Sequence, residues 1–224
     1  TTDPTSKEGD GTFNSVINFS NFLLHVLRIT TKQNVPLDDK RLLDTFTIYN
    51  PAPKEFVVAL LKCRLLFDKY ILKRENDEDW SLKTLKKYTN EQVSFSYVNS
   101  FDSEADNKQL IMLLSMFHVS FPTLVYKHWL NASLHYLYEH TDSRLSIDST
   151  KYIDYLEGLC DSFFYGRFGK ITDGEPIDYY DLTYKKPSLP TELDQTYLQQ
   201  GTGVQNFIFN RLDYLLWKKL IAKE

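Results

Sequence analysis

The apolar positions along this chain fall mostly at helical spacing. In "NSVINFSNFLLHVLRITT", Ile17, Phe22 or Leu23, Val26 and Leu27 share one side. Asn14, Ser15 or Asn18 can cap the start, so the segment predicts a helix. "LDDKRLLDTF" repeats the pattern through Leu37, Leu42, Leu43 and Phe46, with early acids that favour a helix N-terminus. The longest stripe, Phe56, Leu60, Cys63, Phe67 and Tyr70, runs through "NPAPKEFVVALLKCRLLFDKYILKRE", where Pro51 and Pro53 suit a first turn. Further helices are predicted at "NKQLIMLLSMFHVSF", at "PTLVYKHWLNASLHYLYEH" with Pro122 in its first turn, and at "DSTKYIDYLEGLCDSFF".

The last helix is predicted from Val204 to Ile221. Val204, Phe207, Ile208, Phe209, Leu212, Leu215, Leu216 and Leu220 fall nearly all round its wheel, the pattern of a helix buried on most sides. Asn206, Asn210, Asp213 and Trp217 fall on one strip of it. Polar groups buried there need partners, so the strip is expected to be a structural polar network tying the helix to its neighbours, with Arg211 at its edge.

Two stretches depart from this period. Val93, Phe95 and Tyr97 alternate with Ser94 and Ser96, a two-residue period that predicts a strand, and "WSLKTLKKY" before it is its candidate hairpin partner. "NDED" reads as a solvated turn. From Gly166 to Gly203 neither period holds, and a connection this long is either functional or a covering loop. The expected fold is therefore mainly α: an irregular multi-helix domain with a central buried C-terminal helix and one small β-hairpin. Residues 1–14 are expected to be a polar tail and 15–224 a single helical domain.

Composition narrows the function classes. Aromatics reach 15%, more than an ordinary domain needs, and their helical spacing assigns most to a core; a stacking surface for bases or sugars is the alternative. The net charge of −4 argues against non-specific coating of nucleic acid but permits a local basic patch. Cys63 and Cys160 lie far apart in apolar helical patterns and read as reduced packing residues of a cytoplasmic protein. No signal peptide is visible, and no run of about 18 uncharged apolar residues exists to span a bilayer, so no membrane partner is expected. The richest run, "EFVVALLKCRLLFDKYIL", is broken by Lys62, Arg64, Asp68 and Lys69. The chain opens without Met on "TTDPTSKEGDG" and closes on "WKKLIAKE" with no stop signal, so it is expected to be a fragment of a longer polypeptide.

Motifs that carry chemistry are incomplete. "GRFGKIT" lacks the Gly spacing, the preceding strand and the following helix of a phosphate loop, and "GTGVQN" lacks the strand and the Lys. Gly201 and Gly203 are expected instead to let the backbone turn into the last helix. His128, Asn131 and His135 hold the letters of an HNH nuclease. On one helix, however, the two His stand about 10 Å apart along the axis, which makes them solvated or interface histidines. His135 and Glu139 could fill two metal positions, without a third ligand. Asp173, Glu175, Asp178 and Asp181, with Lys185 and Lys186 nearby, have the letters of a metal-dependent nuclease but read as an exposed acidic loop. No catalytic, cofactor-binding or metal-binding residue is assigned. Lys83, Lys86 and Lys87 beside Trp80 and Tyr88 form the best basic-aromatic candidate for DNA contact.

The segments "NFSNFLLHVLRI", "VPLDDKRLLDTF", "RLLFDKYILKRE" followed by "WSLKTL", "LLSMFHVSF", "YKHWLNASLHYL" and "NFIFNRLDYLLWK" occur in one order. Together, from about Ile17 to Lys219, the chain resembles the helical region of GmrSD-type restriction proteins. That family joins an N-terminal ParB-like nucleotide-dependent domain, a helical region and a C-terminal HNH nuclease. The resemblance implies defence against phage, with NTP and Mg²⁺ used by the full-length protein and no cofactor in this fragment. The family's Asp-Gly-Gln-Gln-Arg type motif and its Glu-His…Pro-Gln nuclease motif are both missing here. The expectation is a non-catalytic helical domain that links or positions its flanking domains and senses DNA. A stand-alone DNA-binding or protein-interaction domain is the second reading, and a metal-dependent hydrolase the third.

Overall fold

Five helices contribute rings to one aromatic centre. Phe117 stacks near Trp129 and Phe207, at 6.1 and 6.0 Å between centroids, and meets Phe163 edge-on at 6.0 Å. Tyr179 closes the cluster against Phe163 at 4.8 Å. The computed structural model in which this centre is seen describes residues 13–76, 79–89, 93–171 and 175–221.

In chain order the elements are β1 (Phe13–Ser15), α1 (Phe19–Thr31), α2 (Leu42–Tyr49), α3 (Pro53–Tyr70), β2 (Lys73–Glu75), β3 (Asp79–Ser81), β4 (Lys83–Thr89) and β5 (Val93–Asn99). Then follow α4 (Glu104–Ser120), α5 (His128–His140), α6 (Ser149–Phe168), α7 (Tyr179–Tyr184) and α8 (Asn206–Ile221). The domain is mainly α, irregular, with small antiparallel sheets.

Side chains start the helices as their types dictate. The Asn18 Oδ1 accepts from the Asn21 amide at 2.7 Å, Ser103 Oγ from Asp106 at 3.2 Å, and Asp148 Oδ1 from Lys151 at 3.0 Å. Each such cap stabilises its helix by about 1 kcal/mol. Pro53 occupies the first turn of α3, where it loses no hydrogen bond. The helix expected from Pro122 begins later, at His128. The chain first makes a 3₁₀ turn over Leu124–Tyr126, and Lys127 leaves the helical region with ψ 47°. Its side chain is fully buried there, with Nζ donating to His118 Nδ1 at 3.0 Å.

The expected hairpin is present. β4 and β5 pair antiparallel, with Lys83 opposite Asn99, Leu85 opposite Tyr97 and Lys87 opposite Phe95. A second sheet of order β1-β2-β3 has three-residue strands, too short for alternation to show in the sequence. Phe13 and Asn14 pair with Glu75 and Arg74 in it, so the body of the domain begins before residue 15. Asp79 of "NDED" lies in β3, while Asp77 and Glu78 lie outside the described residues.

The described parts of the segment after Gly166 form a cover rather than an unstructured connection. α6 runs through Gly166 to Phe168, and the returning chain is tied to its end by Lys170 N–H to the Glu192 carbonyl (2.8 Å) and Asp194 N–H to that of Phe168 (2.9 Å). At Gly169 a Cβ would stand 2.3 Å from the Tyr165 carbonyl oxygen and 2.5 Å from Pro190, so only glycine fits this crossing. Gly201 takes φ +56°, the left-handed turn that leads toward α8.

The C-terminal helix departs from expectation. It begins at Asn206, packs on α4, and buries only Phe207 and Tyr214 fully. It is peripheral, not central. Phe209, Leu212 and Leu216 are about half exposed and Leu220 is 65% exposed. Apolar residues all round a helix ensure burial only where neighbours stand on all sides, and α8 has them on one. Among the described residues, no helix is long and apolar enough to cross a membrane.

Candidate nucleic-acid interface

The outer side of α3 follows from its stripe. Phe56, Ala59, Cys63, Leu66, Phe67 and Tyr70 turn inward, which leaves Arg64, Leu65 and Asp68 facing out. Arg64 Nε donates to Asp68 Oδ2 at 2.7 Å, one turn along. β4 and β5 pass beside this face, and β1 and the 141–148 connection close its ends. Together they enclose a cleft of about 550 Å³, lined by Phe13, Arg64, Leu65, Asp68, Lys69, Lys73, Leu85, Tyr97 and Arg144 among others.

Charge in the cleft is one-sided: four cations stand against one carboxylate. Lys73 is 8% exposed and donates through Nζ to the Asp68 and Lys83 carbonyls, not to an acid. Burial lowers its pKa from the ordinary lysine value, with Asp68 acting in the opposite sense. Lys69 Nζ donates to the Leu145 carbonyl at 3.1 Å, which the Tyr70 hydroxyl also reaches at 3.0 Å. Leu145 adopts φ +54°, a strained setting for a side chain with a Cβ, costing about 1–2 kcal/mol. Asp142 Oδ1 holds the turn by accepting the Arg144 and Ser146 amides, at 2.9 and 2.8 Å. These bonds, that from Ser146 foremost, lower the Asp142 pKa. The turn brings Arg144 to the cleft mouth, where no carboxylate among the described residues lies within ion-pair distance.

The ribbon lines the cleft through Thr84, Leu85 and Tyr97. Alternation puts Leu85, Lys87, Val93, Phe95 and Tyr97 on one face of the β4–β5 ribbon. Leu85, Val93 and Phe95 are each more than half exposed, and the Tyr97 ring meets Phe13 at 4.5 Å between centroids. The opposite face carries Thr84, Lys86, Tyr88, Ser94 and Ser96.

The structure divides the lysine group expected from the sequence. Lys83 and Lys87 share the aromatic face, while Lys86 lies on the other, 5.6 Å from the Tyr88 ring. Lys83 is paired with Glu75 at 2.7 Å and does not line the cleft, whereas Arg64 bonds Asp68 through Nε alone and lines it. The triple patch is therefore not one surface, because neighbours on a strand point to opposite sides. The cations of the cleft are instead Arg64, Lys69 and Arg144, with Lys73 buried beneath them. "LLFDKYILKRE" hints at part of this set, since cations crowd the end of an apolar helix. Arg144 is distant in sequence and only folding brings it in.

The polar strip expected on α8 is partly dissolved. Asn206 and Asp213 are exposed and, among the described residues, join no network. Asn210 Nδ2 donates to Ser120 Oγ at 3.0 Å, Arg211 pairs with Asp161 at 2.5 Å above the Phe164 ring, and Trp217 lies 6.0 Å from Tyr214. The network that anchors the helix runs through Tyr214. Its hydroxyl donates to Glu157 Oε1 at 2.5 Å, and Gln109 and Lys218 donate to the same carboxylate oxygen. The physical reason is rotational: the buried stripe of α8 passes through Phe207 and Tyr214, so Asp213 turns outward.

The histidine letters serve the interior. Asn131 Nδ2 donates to the His25 carbonyl at 3.2 Å and its Oδ1 accepts from the Tyr184 hydroxyl at 2.8 Å. His128 stacks on Tyr179 at 4.9 Å and accepts from Arg28 at 3.2 Å. Burial, aided by the Arg28 charge, lowers the His128 pKa to about 4, so the ring is neutral near pH 7. His25, Arg28, Lys127 and Asn131 are each at most 3% exposed, which makes this cluster a joint between α1 and α5 rather than an open site. Glu139 is held by Lys32 at 3.1 Å, and its distance to His135, 3.8 Å, is too long for a hydrogen bond. Asp178 caps α7, Asp181 pairs with Lys185 at 2.8 Å, and Asp173 lies outside the described residues. Among the described residues, no three of His, Cys, Asp and Glu are grouped to hold a metal ion.

Comparison with models of protein families, with curated proteins and with solved structures found no match to this chain.

Proposed function

We propose that this chain is a non-catalytic, nucleic-acid-contacting helical domain whose contact surface is the cleft between α3 and the β4–β5 ribbon. The observation that supports the reading is the joining of four cations, against one carboxylate, to an exposed aromatic strand face. Phosphates and bases ask for that combination, whereas a peptide-binding groove needs no such charge excess. The reading fits the part the GmrSD resemblance implies: DNA sensing in a cytoplasmic restriction protein, with NTP, Mg²⁺ and strand cleavage left to flanking domains of the same polypeptide.

Fluorescence anisotropy of labelled oligonucleotides with the 224-residue chain tests it. Binding is expected at low salt and should weaken as salt rises, with a slope near −2 to −3 in log K against log salt for about three to four phosphate contacts. Arg64→Gln with Arg144→Gln should flatten that slope without changing the melting temperature. Absence of binding at low salt to single-stranded and duplex DNA alike sinks the proposal.

A further inference from the structure

Resting on that reading, we infer that the cleft seats one unstacked nucleotide, its base on the Tyr97 ring and its phosphate between Arg64 and Arg144, so that the domain selects single strands over duplex. A volume of about 550 Å³ is in the range of sites that take one small ligand. Its lining matches the two halves of a nucleotide. The Tyr97 ring of the ribbon stands with Phe13 of β1 on one side, and cations stand at the α3 wall and the 141–148 turn.

Spacing along the ribbon points the same way. Tyr97 and Phe95 are two residues apart on one strand face, about 6.6–6.8 Å. Successive bases of a duplex strand rise by about 3.4 Å. Two neighbouring bases can meet both rings only where the strand is stretched and unstacked. Stacking on a ring also needs no particular base, so the seat is tolerant of sequence. A duplex would instead use the opposite, polar face of the ribbon with Lys86, Ser94 and Ser96, since a two-stranded ribbon fits a major groove. The two modes therefore depend on different side chains.

The experiment measures affinity of the full chain for labelled oligo-dT, for the same length of duplex, for free dTMP and for poly-glutamate. Tyr97→Ala, Tyr97→Phe and Lys86→Ala are compared with the parent, and a thermal melt checks each fold. Oligo-dT is expected to bind at least tenfold more tightly than duplex. Tyr97→Ala should weaken oligo-dT binding about fivefold to a hundredfold and Tyr97→Phe should restore it, as loss of one stacked base implies. Equal affinity for single strand and duplex, or oligo-dT binding indifferent to Tyr97→Ala, overturns the nucleotide seat while leaving nucleic-acid contact intact. Loss of duplex binding in Lys86→Ala, with duplex preferred, overturns it in favour of groove contact. dTMP binding as tightly as oligo-dT overturns selection of a strand and makes the free nucleotide the ligand. Poly-glutamate binding as tightly as oligo-dT overturns it in favour of an acidic protein partner. No binding to either DNA overturns the seat and the proposed function together.

Discussion

The ring cluster around Phe117 and the ring face of the β4–β5 ribbon are made of the same residue types. Phe117, Trp129, Phe163 and Phe207 are almost fully enclosed, with rings at 6.0–6.1 Å from Phe117. Phe95 and Tyr97 stand 57% and 39% exposed. In the first group each ring arrives on a different helix, so every face finds another apolar surface. In the second a two-stranded ribbon supplies only one layer, so Phe95 stays open and Tyr97 meets only the Phe13 ring across part of its surface. Aromatic content alone therefore says nothing about purpose; the number of elements that converge does. Rings at convergence hold the fold, and rings on the lone layer are free to meet a ligand.

The sharpest separation of the two groups is in stability. Phe117→Ala should cost about 3–5 kcal/mol of unfolding free energy by denaturant titration, as large-to-small changes in a packed core do. Phe95→Ala should stay within about 0.5 kcal/mol. Similar losses for both would place the ribbon rings in the core.

Gly169→Ala probes how the cover over the core is held. A methyl group there meets the Tyr165 carbonyl and Pro190, so a loss of about 1–3 kcal/mol is expected in the same titration. An unchanged midpoint would mean that the 169–193 crossing is not part of the folded body.

A smaller effect belongs to the Glu157 anchor of α8. Burial raises the Glu157 pKa, but hydrogen bonds from Lys218 and Tyr214 outweigh it and bring it below the usual carboxylate value. A folded pKa below the unfolded one means stability that is complete above the ordinary carboxylate pKa and lost as pH falls through the folded value. Glu157→Gln should therefore lower the melting temperature by a few degrees at about pH 7, as a loss of about 1 kcal/mol does, and the deficit should shrink as pH falls below the ordinary carboxylate range. A deficit that persists unchanged in acid would assign the effect to packing.

The smallest effect is expected at Asp213. Solvent-facing and outside the Tyr214 anchor, it should tolerate Asp213→Ala within about 0.5 kcal/mol. A drop of several degrees would restore the central-helix reading that its sequence neighbourhood suggests.

Period and local chemistry determined much of this protein on their own. The spacing of Phe56, Cys63, Phe67 and Tyr70 places a helix whatever surrounds it, and Asn18, Ser103 and Asp148 start helices by bonds that close within three residues. The alternation of Val93, Phe95 and Tyr97 likewise declares a strand, and the Lys83–Thr89 partner lies close enough in sequence to be named with it. What these signals report is direction along one element. Whether α8 is covered on one side or all round depends on which helices stand beside it, and α4 does so on one side only among its principal contacts. The cleft depends on still more distant choices. Lys73 becomes a buried cation because β2 folds against β1 and β3, and Arg144 lines the same cleft as Tyr97 because the strained Leu145 turn is clamped to Lys69 and Tyr70. Local sequence sets where a side chain points on its own helix or strand; only the tertiary arrangement decides what it meets there.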